Sequence, residues 1–182
     1  YHGPDGVNAD GVVDLQGAYV CPGLINAHCH LSMPCTVSGI GSGLLRTFVR
    51  QVERNAEECV KHGVTTIRDM ATIGSQLHDL KTKIADGMVV APRIISSYVL
   101  DVPRGYLTSL AAFFGLVADD RYFSVIRSPK DGVQGVIKAY EENAALIKIA
   151  HQVEPFADIL PDPQQMDIET TKAICNQARL MG

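Results

Sequence analysis

The chain has 182 residues, 46% of them hydrophobic and 20% charged, with a formal net charge of -4, the range of an ordinary globular domain or a large part of one. A pI near 5.8 with no run of Lys or Arg leaves no electrostatic footprint for nucleic acid or anionic lipid, so a small-molecule substrate is the expected partner. There is no stretch of about 18 apolar residues and no basic-then-apolar leader, so the sequence offers neither a membrane span nor a signal peptide. Five cysteines without a CxxC pair argue against a disulfide framework and a zinc ribbon, and make the cytoplasm the expected compartment.

In chain order, residues 9–20 hold Val12, Val13 and Leu15 between glycines, the look of a short strand, a turn and the approach to another strand. The segment 21–31 opens on Pro22-Gly23 and runs LINAHCHL, a buried strand with polar residues only near its end. Apolar residues from Leu45 to Val60 recur every three or four positions, opposite Arg50, Glu53, Arg54, Glu57 and Glu58, which predicts a helix from about Leu44 to His62, closed by Gly63. A second strand over 63–70 and a second helix capped by Ser75 and running to about Ala85 follow, then a third strand over 93–100. Residues 101–128 read as irregular, long for a connection within a domain. A helix from about Asp131 to Asn143, a fourth strand at 145–150 and a last helix over about Ile168 to Met181 complete the pattern. Four successive βα units build a parallel sheet covered by helices. They fit half of a (β/α)8 barrel or a doubly wound open sheet, and no GxGxxG or GxxxxGK[ST] follows a strand to support a nucleotide-binding version of the latter.

His28 and His30 stand two positions apart at the end of the first strand, so both imidazoles project from one face and can share one divalent ion. The bland alternative is two unrelated histidines. Cys29 lies between them, where alternation turns it away as a buried, inert thiol. Lys148 interrupts the apolar fourth strand; without further information it is a side chain that snorkels or pairs with a carboxylate. Arg68 and Asp69 end the second strand, where Asp69 either orients a ligand or forms a structural ion pair. His62 and His78 read as surface residues of helices.

The run from Pro22 to Leu31, PGLINAHCHL, resembles the strand-one motif of the amidohydrolase superfamily, in which two histidines bind the more buried metal. GVTTIRD (63–69) and APRI (91–94) resemble the second strand and the start of the third in the imidazolonepropionase-like and Xaa-Pro or Xaa-Arg dipeptidase branch. The resemblance implies an α/β fold, a partial (β/α)8 TIM barrel of about the first four βα units. Residues 1–19 would be the remnant of a flanking β-sandwich, and residues 20–182 the first half of the barrel. It implies one or two divalent metal ions, zinc being expected, held by His28, His30 and Lys148, with Lys148 carboxylated by carbon dioxide to a bridging carbamate. The metals would polarise a scissile amide carbonyl and lower the pKa of a bridging water to about 7.

Where the family has small residues and glycines after strand four, this chain has Ala150-His151-Gln152, and where many relatives have Gly-Gly-His after strand three it has Asp101 to Tyr106. Asp69, Arg104, Tyr106 and His151 are therefore candidate substrate contacts in place of the usual ones. The proton-shuttling aspartate and the later histidines of the family belong to strands five to eight, and the chain, which opens on Tyr1 and closes on Gly182, reads as a piece of a longer protein. The expectation is a C–N hydrolase of a dipeptide or cyclic amide, inactive as this piece, which forms a homo-oligomer or pairs with the missing barrel half. A non-catalytic module that keeps the scaffold is the alternative, and an open sheet with two structural histidines a third reading.

Overall fold

A computed structural model describes residues 11, 13–32, 44–72, 75–113, 120–151 and 162–182, with side chains of the first helix from Gln51 onward. Its elements alternate: β1 (Leu24–Cys29), α1 (Leu44–Lys61), β2 (Val64–Asp69), α2 (Gln76–Ala85), β3 (Arg93–Asp101), α3 (Tyr106–Phe113), β4 (Phe123–Val125), α4 (Pro129–Glu141), β5 (Leu146–Ile149) and α5 (Ile168–Met181). The fourth strand expected from the sequence is β5.

All strand pairs are parallel: β1 with β2, β2 with β3, and β3 with both β4 and β5. Val99 and Leu100 are in register with Phe123 and Ser124 of β4 and also with Lys148 and Ile149 of β5, so β4 and β5 occupy opposite edges of β3. The path β1-β2-β3-β5, with helices between, is a curled half of a (β/α)8 barrel, and β4 is an insertion beside it. Helices α1, α2, α4 and α5 cover one face, and α3 packs on the other against Val99. Val52 and Ala56 of α1 and Leu77 and Leu80 of α2 enclose Ile67, with Cys29 against them, while Val136, Ala139 and Ile174 enclose Tyr98 and Leu100. A Cβ on Gly132 would lie 2.8 Å from Ile174 Cγ1, so glycine lets α4 and α5 approach this closely.

Four sequence expectations change. The segment 101–128 is not irregular throughout, because it holds α3 and β4. The three residues of β4 are too few to show a period and are fixed from a distance: the Tyr98 hydroxyl, fully buried, donates to Asp120 O at 2.8 Å and lies 2.8 Å from Ser124 Oγ. The helix expected from Asp131 begins at Pro129, where Ser128 Oγ accepts the Asp131 N–H at 3.2 Å and proline fills the first helical position, whose N–H needs no partner. Ser75 does stand at the start of α2, but its backbone is helical and its side chain makes no cap bond. Near the start, Gln16 and Gly17 form the expected turn, with no strand among the described residues 11 and 13–20, while residues 1–10 and 12 lie outside those described. No helix among the described residues is long and apolar enough to cross a membrane.

Candidate metal centre

β1 ends at Cys29, and its side chain packs into the cluster beneath α1 and α2, with Sγ 3.7 Å from Arg68 O. Burial, then the charge of Asp69 and the neighbouring Cys59, push this thiol up to about 12, so it is no thiolate at neutral pH. His28 and His30 face the other way. Their ring centroids lie 5.3 Å apart with planes at 66°. His30 Nδ1 lies 3.4 Å from Ala71 O, and a proton on that nitrogen would leave Nε2 with the free lone pair a metal needs. The His28 backbone N–H donates to Asn26 Oδ1 at 3.1 Å. Desolvation, then the positive charge of Lys148, then His30 and Arg68, hold the His28 imidazole below its ordinary value.

Lys148 thus acts on His28 electrostatically. Val99, its partner in register, turns to the side opposite Tyr98 and Leu100, and Ile147 and Ile149 pack into the helix layer, which sends Lys148 to the inner side. It is half-buried and has no hydrogen bond or ion pair with any described residue. No group of three His, Cys, Asp or Glu side chains gathers to hold a metal among the described residues.

Asp69 is not brought to this face. It is 1% exposed, on the helix side of β2, and its Oδ1 accepts the Leu31 N–H at 3.0 Å. Burial raises its carboxyl, opposed by that hydrogen bond. Its neighbour Arg68 donates Nε–H to Ala27 O at 2.6 Å and does not pair with it. After β3, Arg104 is exposed and its carbonyl accepts the Gln164 N–H at 2.8 Å, while Tyr106 is half-buried, with burial raising its phenol. His151 is exposed one residue beyond Ala150, and the segment after it lies outside the described residues.

Sequence reading passed over Asp101. Its carboxylate accepts the Val102 N–H at 2.9 Å, the Thr108 N–H at 2.8 Å and the Thr108 hydroxyl at 3.1 Å. A Cβ on Gly105 would stand 1.9 Å from Asp101 Oδ1. Asp101 therefore fixes the short loop that carries Arg104 and opens the helix that begins with Tyr106. An Asp at a strand end with Thr seven positions on was the available signal.

The sequence model of the amidohydrolase family matches residues 19–155. The chain belongs to this family. As an amidohydrolase half-barrel it is similar in structure to a candidate prolidase from Bifidobacterium longum, with 28% identity, TM-score 0.54 and coverage of 88% of this chain and 33% of that one. It is also similar to the A. niger ochratoxinase, with 19% identity, TM-score 0.59 and coverage of 88% and 41%, and to a Xaa-Pro dipeptidase solved with methionine in its active site, with 22% identity, TM-score 0.59 and coverage of 87% and 40%. The chain spans well under half the length of these relatives. No protein of curated function matches by sequence. Membership removes the open-sheet reading of the two histidines and leaves a partial TIM barrel with its strand ends toward the site.

The donor set fits the divalent metal expected of an amidohydrolase. Two imidazoles share one face, one with a carbonyl beside its second nitrogen, and an unpaired amine stands opposite, able to become an anionic ligand.

Proposed function

We propose that this chain is the metal-holding half of an amidohydrolase barrel that cleaves a C–N bond of a small amide, such as a dipeptide or cyclic amide. The observation that carries this reading is the convergence of His28, His30 and the unpaired Lys148 on the inner side of the strands. The family membership and the prolidase-like relative support the substrate class. In this reading residues 20–182 are the first half of the barrel, residues 1–19 lead in from a small β-sandwich, and the remaining ligands and the proton-shuttling aspartate come from the other half.

His28 and His30 would hold one divalent ion, zinc by ligand chemistry, through their Nε2 atoms. Lys148 would add its amine to carbon dioxide, forming an N–C bond and releasing one proton, and the resulting carbamate would supply an anionic ligand for the metal site. When bound, the metal supplies a Lewis acid for the carbonyl and a water acidified to near neutrality. Two neutral imidazoles bring no negative charge, and such an anion would help to balance that of the ions. Asp101 holds the loop on which Arg104 and Tyr106 flank the mouth, and His151 stands at the next strand end. These three are proposed substrate contacts, whereas Asp69 contributes through Leu31 to the position of the histidine-bearing turn. Half a barrel leaves two strand edges and an apolar inner face, so the chain is proposed to pair with the other half or with a second copy.

The test is metal content and bicarbonate-dependent hydrolysis in the complete protein. We expect one or two zinc-like ions per chain, with activity reduced at least about 100-fold in Lys148→Ala, as for other lost metal-site groups. Unchanged metal content and activity in that variant would remove Lys148 from the site. A stable protein with no metal affinity at all would instead favour a non-catalytic scaffold.

A further inference from the structure

Of the charged side chains that act on His28, Arg68 has no assigned task. It is the penultimate residue of β2, and its two neighbours in sequence, Ile67 and Asp69, are both buried on the helix side, 0% and 1% exposed. Arg68 therefore leans to the open side of the sheet, where it is exposed. There the register of β1 is irregular: Asn26 is matched to Ile67 and Cys29 to Asp69, which sets Ala27 and His28 together opposite Arg68. The Nε–H donates to Ala27 O at 2.6 Å, one residue before the first histidine.

That bond fixes the guanidinium by its inner nitrogen. The two outer nitrogens have no partner among the described residues, and they form the end of the fork that takes both oxygens of a carboxylate. Asp69, adjacent in sequence, is spent on Leu31 on the opposite face.

We propose that Arg68 is the anion anchor of the site: its outer guanidinium nitrogens bind the carboxylate of the substrate in a bidentate grip, placing the scissile bond over the histidine pair. This rests on the hydrolase reading above and narrows its substrates to amides that carry a free carboxylate close to the scissile bond. It also gives the bulge of β1 a task, since the extra residue is what brings Ala27 O under Nε.

The test compares the complete, metal-loaded protein with Arg68→Gln and Arg68→Lys, using Xaa-Pro dipeptides against their C-terminal amides, and, separately, inorganic phosphate binding by calorimetry. For Arg68→Gln we expect KM for the free acid to rise about tenfold or more, with kcat within a few-fold and the preference for acid over amide lost; Arg68→Lys should recover part of it. Phosphate should bind at least about tenfold more weakly to the Gln variant. A strut that merely supports β1 would lower metal content and leave the acid-to-amide preference intact, and that outcome overturns the proposal. Hydrolysis with equal preference in wild type and variant overturns it while leaving the hydrolase reading standing. If the wild type hydrolyses nothing, that reading falls, and the phosphate arm decides: equal affinity in wild type and Arg68→Gln sinks the anion site as well.

Discussion

The two faces of the sheet handle polar groups in opposite ways. Toward the helices, the strands send Asp69, Ser96 and Tyr98 among apolar neighbours, and each is bonded: Asp69 to Leu31 N, Ser96 Oγ to the Lys81 amine at 2.8 Å, Tyr98 to Asp120 O and Ser124. Toward the inner side they send His28, His30, Arg68, Ser97 and Lys148, where Lys148 is unpaired, Arg68 uses one nitrogen of three and the Ser97 hydroxyl has no partner among the described residues. A buried polar group without a partner is costly. Among the described residues, the outer face has these polar groups bonded, whereas Ser97, Lys148 and the outer nitrogens of Arg68 on the inner side are not.

Breaking the outer face should have the largest effect on stability. Leu100 is 0% exposed between Val136 and Ile174, so Leu100→Ala should cost about 2–5 kcal/mol in a denaturant titration. A loss well under 1 kcal/mol would mean that the β3 helix layer is not packed as described.

Asp101 stands where the two faces meet, at the end of β3, and its removal comes next. Asparagine offers one acceptor oxygen where the carboxylate serves three donors, and the expected cost of Asp101→Asn is about 1–3 kcal/mol. The pH dependence has a definite sign. Burial raises this carboxyl above its ordinary 3.8, more than the bonds from Thr108 and Val102 lower it. Its contribution is therefore fully present below that ordinary value and is lost as pH rises through the raised folded one. The margin of wild type over the Asn variant should shrink from acid toward neutral pH in paired thermal melts; a margin that grows would show a carboxyl depressed by its hydrogen bonds.

Much of this contrast is legible in the sequence, for reasons of period. A His-x-His at a strand end fixes two rings on one side and Cys29 on the other, and an apolar strand interrupted by Lys148 marks the inner face. The same alternation applies to Arg68 and Asp69, which must point apart, although as sequence neighbours of opposite charge they suggest an ion pair. What could not be seen depends on distant contacts. β4 has three residues and is held by the hydroxyl of Tyr98, and the carboxylate of Asp101 acts on donors up to seven residues away. Arg68 gains its role from a bulge in the neighbouring strand, which no period announces.

The smallest effect on stability should come from Lys148, a proposed ligand of the site. Lys148→Met keeps the length of the side chain and removes a half-buried charge that no described residue balances. A structural lysine would lose an ion pair and destabilise the fold. An amine kept for a ligand loses nothing in the ligand-free state and sheds a desolvation cost, so the metal-free variant should melt within about 1 kcal/mol of wild type or above it. Added metal should then separate the two proteins, raising the melting temperature of wild type and leaving Lys148→Met nearly unmoved. A variant destabilised by several kcal/mol without metal would show that Lys148 belongs with the satisfied groups of the outer layer, and the contrast between the faces would not extend to β5.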